Sequence, residues 1–227
     1  FFAICDGRQA LSLPTAQDHK RAFDGDIGPN TGGMGAFSPS PLMTPLLEAR
    51  IRREIVDPVL EGMDRDGHPY RGFLYVGLMI TAEGPQVVEF NVRLGDPEAQ
   101  VVLPMVCDDL APLLEAAARG ALDTTSCEQT RDPHVGVVLA SAGYPGVYKT
   151  GVPIAGLDEV ATMDGVLLFH AGTAVRDGAV VTTGGRVLTV VGRGPDFLDA
   201  IERAYAAAER ITFAGKQLRS DIGRKAL

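Results

Sequence analysis

The sequence predicts an α+β fold, with short antiparallel strands carrying a few amphipathic helices. Three observations predict it. Two apolar-rich runs, 73–80 and 86–92, flank a polar turn at Glu83-Gly84, which is hairpin spacing. Leu47, Ile51, Ile55, Val59 and Met63 recur every four residues, the stripe of a core-facing helix. Toward the C-terminus, apolar runs at 135–140, 166–170, 179–183 and 186–191 precede one long helical pattern, strands first and helix last.

In chain order, residues 1–13 read as a hairpin about the two-residue turn Asp6-Gly7. Asp18, His19, Lys20 and Arg21 form a compact polar cluster that composition alone assigns to an exposed loop. Residues 28–39 hold Gly28, Gly32, Gly33 and Gly35 beside Asn30, Thr31 and Ser38, and read as a loop. Glycines there would let consecutive amides face an anion as a nest. The segment lacks both the Gly-Lys-Ser/Thr of a P-loop and the dinucleotide fingerprint, and it is long for a structureless connection. Thr44-Pro45 opens the first helix with a cap and an N1 proline, and Pro58 should kink it. Residues 108–121 read as a helix with an acidic start and Gly120 near its end. Composition then loosens through Thr124, Thr125, Ser126 and Asp132-Pro133, which sets the expected domains at 1–125 and 126–227. Residues 141–146 make a glycine-proline turn, and Asp177-Gly178 closes a hairpin. The helix over 195–211 is expected to bury Phe197, Leu198, Ile201, Tyr205 and Ala208. There is no internal repeat or low-complexity tract.

The chemistry concentrates in 86–98, Gln-Val-Val-Glu-Phe-Asn-Val-Arg-Leu-Gly-Asp-Pro-Glu. On a strand, Glu89, Asn91 and Arg93 share one face, about 7 Å between alternate residues. Carboxylate and amide oxygens are ligands Mg²⁺ prefers, and arginine holds phosphate bidentately. The same alternation also describes the solvated face of an ordinary half-buried strand. The exit Gly95-Asp96-Pro97-Glu98 adds two carboxylates at a loop junction, where functional groups gather. His170 ends an apolar run and could be a packed strand-end residue. Arg186, after Gly184-Gly185, is a candidate phosphate clamp. His68 and His134 sit beside prolines and are given no role.

Composition narrows the classes. The 227 residues carry 45% hydrophobic and 22% charged side chains and a net charge of −8, with no basic block for nucleic acid. Three unpaired cysteines, Cys5, Cys107 and Cys127, fit a reducing compartment and form no zinc motif. No apolar run reaches the ~20 residues of a membrane span. The cytoplasm is the expected location.

Residues 87–98 closely resemble the signature of the glycinamide ribonucleotide synthetase (phosphoribosylamine–glycine ligase) family of ATP-grasp enzymes. Residues 17–21, 28–36, 72–79, 169–173, 184–187 and 221–223 resemble the family too, in its order, so the resemblance covers essentially the whole chain. It implies the C-terminal half of an ATP-grasp domain over 1–125, an antiparallel sheet with flanking helices. A small α+β domain completing the substrate cleft would follow over 126–227. The start at Phe1-Phe2-Ala3-Ile4-Cys5 reads as the middle of a strand. The chain is therefore expected to be the C-terminal portion of a longer enzyme, without the N-terminal domain and the ATP-covering subdomain.

The implied reaction joins glycine to 5-phosphoribosylamine at the expense of ATP, through glycyl phosphate. Glu89 and Asn91 would hold Mg²⁺ or Mn²⁺, with Arg93 beside them at the nucleotide; Arg93 and Asp96 would be catalytic. Substrate contacts would come from Asp18, Lys20, Asn30, Gly32, Gly33, Met34, Gly35, His170, Gly172, Thr173, Gly185 and Arg186. A second acidic metal ligand, which many ATP-grasp enzymes carry on the preceding strand, would fall at or near Gly77. The lysines and hinge that grip ATP are not found upstream, so the chain alone is expected to be nearly inactive, and monomeric or dependent on an N-terminal half. Another ATP-grasp ligase and a non-catalytic binding or assembly module are the competing readings.

Overall fold

The computed structural model describes all 227 residues, Phe1–Leu227. The strands are β1 (Phe2–Asp6), β2 (Ala10–Ser12), β3 (Gln17–Asp18), β4 (Arg21–Phe23), β5 (Ile27–Asn30), β6 (Gly35–Ser38), β7 (Arg71–Thr81), β8 (Gly84–Asn91), β9 (His134–Ala140), β10 (Val166–His170), β11 (Thr173–Arg176), β12 (Ala179–Thr182) and β13 (Arg186–Arg193). The helices are α1 (Pro45–Ile51), α2 (Asp57–Arg65), α3 (Ala99–Val102), α4 (Leu110–Arg119), α5 (Leu157–Ala161) and α6 (Phe197–Arg210). The mixture of antiparallel sheets and helices is the α+β class expected. No helix is long and apolar enough to cross a membrane.

The chain packs as two compact units. The first comprises Phe1–Thr15, Pro39–Gly95 and Val102–Thr130. Its sheet has the order β2-β1-β7-β8, every pair antiparallel. Ala3, Cys5, Leu74 and Val76 on the sheet bury against Ile51, Ile55, Val56 and Leu60 of the helices. The Thr44 hydroxyl accepts the Leu47 amide at 3.2 Å and caps α1. At the kink expected from Pro58 the helix has a π-turn over Arg52–Val56, which runs directly into α2 with Pro58 as its second residue. The β1–β2 connection is longer than the two-residue turn expected. It spans Asp6 to Gln9, and the Asp6 carboxylate accepts the amides of Arg8 and Gln9 at 2.9 Å. As expected, α4 starts at an acidic cap, Asp109, and stops at a left-handed Gly120.

The second unit comprises Ala16–Ser38, Asp96–Val101 and Arg131–Leu227. Its sheet runs β10-β13-β9-β6-β3, again antiparallel. The division expected after residue 125 follows the chain, whereas packing interleaves it: β6 pairs with β9, Gly35 opposite Val137, and carries its neighbours into this unit. The loop expected over 28–39 is mostly strand, β5 and β6, leaving residues 31–34 and Pro39 irregular. Asp177 and Gly178, both at positive φ, close the β11–β12 hairpin as expected. α6 lies on β13 and β9 through Ala200, Ala204, Ala207 and Ala208, while Leu198, expected in the core, is 53% exposed. A Cβ on Gly192 of β13 would collide with Ala200 and Ala204, so alanines sit where the helix crosses that strand, while Phe197, Ile201 and Tyr205 pack against the same core as expected.

Candidate functional site

The first unit presents Glu89 and Asn91 on its edge strand β8. Gly77 pairs with Glu89 and Tyr75 with Asn91, so both side chains stand on the same face. The register then slips by one residue, Leu78 facing Val87, which leaves Val88 as a bulge. A Cβ on Gly77 would lie 3.1 Å from Glu89 Cγ, so the glycine makes room for the glutamate chain. Glu89 is exposed and Asn91 half-buried, and neither side chain engages in a hydrogen bond or ion pair. Their oxygens are therefore open to a hard cation. No three His, Cys, Asp or Glu side chains are grouped so that they could hold a metal ion between them. A Mg²⁺ here fits as an ion with two protein oxygens, the rest coming from phosphate and water. The expected row of three is corrected to two. β8 ends at Asn91, and Arg93 beyond it is exposed, its guanidinium donating to the Leu94 carbonyl at 2.9 Å.

The second unit gathers most of the other candidates around residues 31–34. Four successive amides are already bonded: Thr31 to the Lys20 carbonyl, Gly32 to the Tyr144 hydroxyl, Gly33 to the Thr31 hydroxyl and Met34 to the His19 carbonyl, at 2.8–2.9 Å. The open anion nest is thereby excluded; these amides hold the loop rather than a ligand. Arg186, expected as a phosphate clamp, is a strap. Its Nη1 donates to the carbonyls of Asp96 (2.6 Å) and Gly32 (2.8 Å), and its Nη2 pairs with the Asp96 carboxylate at 3.1 Å. A Cβ on Gly33, at φ +117°, would meet the Pro97 ring. One arginine thus joins the Gly-rich loop to the Asp96-Pro97-Glu98 turn.

Tyr144 was missed in the sequence. Its hydroxyl accepts the Gly32 amide, and its ring occupies the space a side chain at Gly185 would need. The legible signal was an aromatic between two glycines and beside a proline, which marks a turn with a large side chain to place. The Gly172 amide donates to the Arg186 carbonyl at 3.0 Å, which places the β10–β11 corner at the same arginine. There His170 is exposed, its Nδ1 2.9 Å from the Thr173 hydroxyl. Asp18 and Lys20 pair at 2.6 Å, and Asn30 is exposed. Met34 and Gly35 are buried, so their part is packing.

The closing Asp221-Ile222-Gly223 motif acts at a distance from this cluster. Arg219, fully buried, donates to both Asp221 oxygens at 2.7 Å, to Asp26 at 2.9 Å and to the Arg21 carbonyl at 3.1 Å. The Gly25 amide donates to Asp221, and the Ser220 hydroxyl to Asp24. The chain's C-terminal stretch so anchors the β4–β5 hairpin, whose second strand leads directly into the Gly-rich loop. His19 lies by this network, 1% exposed, with neither ring nitrogen bonded. Burial, then the cations of Arg219 and Lys225, lower its pKa to about 4.

Sheets of this order with their flanking helices define an ATP-grasp-like fold. The biotin carboxylase domain of Hydrogenobacter thermophilus 2-oxoglutarate carboxylase matches 96% of the chain and 46% of its own, TM-score 0.65 at 17% identity, a likeness of fold alone. Residues 1–99 match the ATP-grasp (A) domain of phosphoribosylglycinamide synthetase, and residues 134–225 match its C domain. The chain belongs to the phosphoribosylglycinamide synthetase family. It is 50% identical over its full length to 53% of the phosphoribosylamine–glycine ligase of Agrobacterium fabrum, and 51% identical to 53% of that of Chlorobaculum tepidum. The crystal structure of the Thermotoga maritima phosphoribosylamine–glycine ligase covers 97% of this chain with 54% of its own, TM-score 0.86 at 39% identity. The chain spans about half the length of the curated relatives it matches.

Proposed function

We propose that this chain supplies the metal-phosphate face and part of the substrate machinery of an ATP-dependent ligase that joins glycine to 5-phosphoribosylamine. The observation that carries the reading is the unpartnered Glu89–Asn91 pair opposite Gly77, in a chain of this family. Glu89 and Asn91 would hold Mg²⁺ or Mn²⁺, which when bound neutralises phosphate charge and orients the transferring group. Arg93, exposed and bonded only to a backbone carbonyl, is able to swing to the phosphoryl group. Glycine's carboxylate attacks the γ-phosphorus of ATP to give glycyl phosphate and ADP. The amine of phosphoribosylamine then attacks the acyl carbon and expels phosphate, forming the amide. Positioning does most of this chemistry. Asp18, Lys20, Asn30, His170, Gly172 and Thr173 are the proposed substrate contacts. Gly32, Gly33, Gly185 and Arg186 shape the loop that presents them. Asp96, whose carboxylate Arg186 holds, joins the catalytic group by fixing the turn at 95–98. Residues 1–125 and 126–227 are proposed as the two functional domains, working in the cytoplasm.

The test is ADP release with MgATP, glycine and phosphoribosylamine, omitting one substrate at a time. The chain alone should turn over little or nothing. Adding the half of a full-length relative that this chain does not match should restore ADP formation requiring both substrates. Silence after that addition would favour a binding or assembly module. In the restored system, Glu89→Ala should cost about 10²-fold or more in kcat, as removal of a group serving transition-state charge does.

A further inference from the structure

Two carboxylates of the second unit, Asp18 and Asp96, bear on a third, Glu98. Two of them are answered. Lys20 pairs with Asp18 at 2.6 Å, and Arg186 pairs with Asp96 at 3.1 Å while Gln100 donates to its other oxygen at 3.2 Å. Glu98 is not. It is 5% exposed, the most buried of the three, and no side-chain donor or second backbone amide reaches it beyond its own N–H. Burial, and then the Asp18 carboxylate, push its pKa up against the pull of Lys20. A buried carboxylate without a partner is costly unless something supplies the missing charge and donors.

We infer that Glu98 is the receptor for a substrate's primary ammonium group, that of glycine. The proposal deepens the ligase reading and rests on it for the choice of substrate. Glycine's carboxylate must remain free to take the phosphoryl group, so its ammonium is the one handle left for recognition. An ammonium brings three donors and one positive charge, the complement of an unpaired carboxylate. The amine of phosphoribosylamine is a poor match. It must be neutral to attack, and a buried carboxylate beside it would hold it protonated and unreactive.

The test is calorimetric titration of this chain and its Glu98→Gln variant with four probes. Glycine and glycinamide keep the ammonium, N-acetylglycine lacks it, and glucosamine 6-phosphate stands in for the sugar amine. Glycine and glycinamide should bind, N-acetylglycine should not, and the variant should bind the first two at least tenfold more weakly. The variant should also melt at a higher temperature at neutral pH, because it removes an unpaired buried charge, whereas loss of a structural partner would lower the midpoint. The proposal is overturned if the unaltered chain binds neither ammonium probe, if Glu98→Gln leaves their affinity unchanged, or if the variant melts lower. It is also overturned if glucosamine 6-phosphate is the probe that depends on Glu98. Failure of the ligase reading looks different: ADP formation independent of glycine, with the glycinamide result intact.

Discussion

A guanidinium places five N–H donors in one plane, and Arg186 directs them at two carbonyls of one turn and loop and at one carboxylate. Lysine can keep the charge but not this fan of bonds. Arg186→Lys should therefore destabilise the second unit by about 1–3 kcal/mol, the range for hydrogen bonds to charged groups. Asp96 is 50% exposed, so Asp96→Asn should cost less than about 1 kcal/mol. Urea unfolding of both variants checks the order; a larger loss for Asp96→Asn would place the strap's strength in the ion pair. His19 makes a pH prediction. The groups facing it are Arg219, Lys225, Asp26 and Asp221. Its folded pKa is about 4 against 6.5 unfolded, so the unfolded chain takes the proton first. The stability it contributes is present above pH 6.5 and lost as pH falls toward 4, on the order of 3 kcal/mol. Asp221, held low by Arg219, withdraws its contribution only below the ordinary carboxylate range, which separates the two effects. His19→Leu should flatten the urea midpoint between pH 6.5 and 4, and a slope unchanged from the parent would reject His19 as its source.

At the scale of elements, what could be read from the sequence depended on whether a residue's neighbours were local. The β7–β8 hairpin, the Thr44 and Asp109 caps and the Asp177-Gly178 turn rest on contacts within a few residues, and the sequence carries them. Glu89, Asn91 and the room at Gly77 follow from the same local pairing. The Val88 bulge was hidden because Val87 and Val88 are alike, and either could take the inward place. On α6 the helical pattern placed Phe197, Ile201, Tyr205 and Ala208 correctly toward the core, but not Leu198, which is exposed, and it gave no sign that the helix meets Gly192 through an alanine stripe. Ala204→Leu should cost about 1–3 kcal/mol through overpacking, and Leu198→Ala should stay within about 0.5 kcal/mol. Chemical denaturation of the pair checks this, since a core position for Leu198 would demand the opposite ranking.

For the whole molecule, the loosening of composition after Asp123 was legible, but the return of β6 to pair with β9 was not, because nothing in either strand names its distant partner. The Tyr144–Gly32 and Arg186–Asp96 contacts were hidden for the same reason. This pairing makes the second unit discontinuous, and that has a measurable consequence. A polypeptide of residues 131–227 retains β9, β13, β10 and α6 but loses β6, so one edge of β9 is unpaired. It also loses Phe37, fully buried in the core, worth about 2–3 kcal/mol by area. Arg219 keeps Asp221 but loses Asp26 and the Arg21 carbonyl, a half-satisfied guanidinium where the intact unit has a complete one. Those losses together rival the whole stability of a small domain. The 131–227 polypeptide should therefore unfold at lower urea, with a broadened transition, and a peptide of residues 16–38 added in trans should restore a sharp one. An unassisted fragment as stable as the intact second unit would mean that β6 decorates a sheet already complete, and that the chain-order boundary describes the folding unit after all.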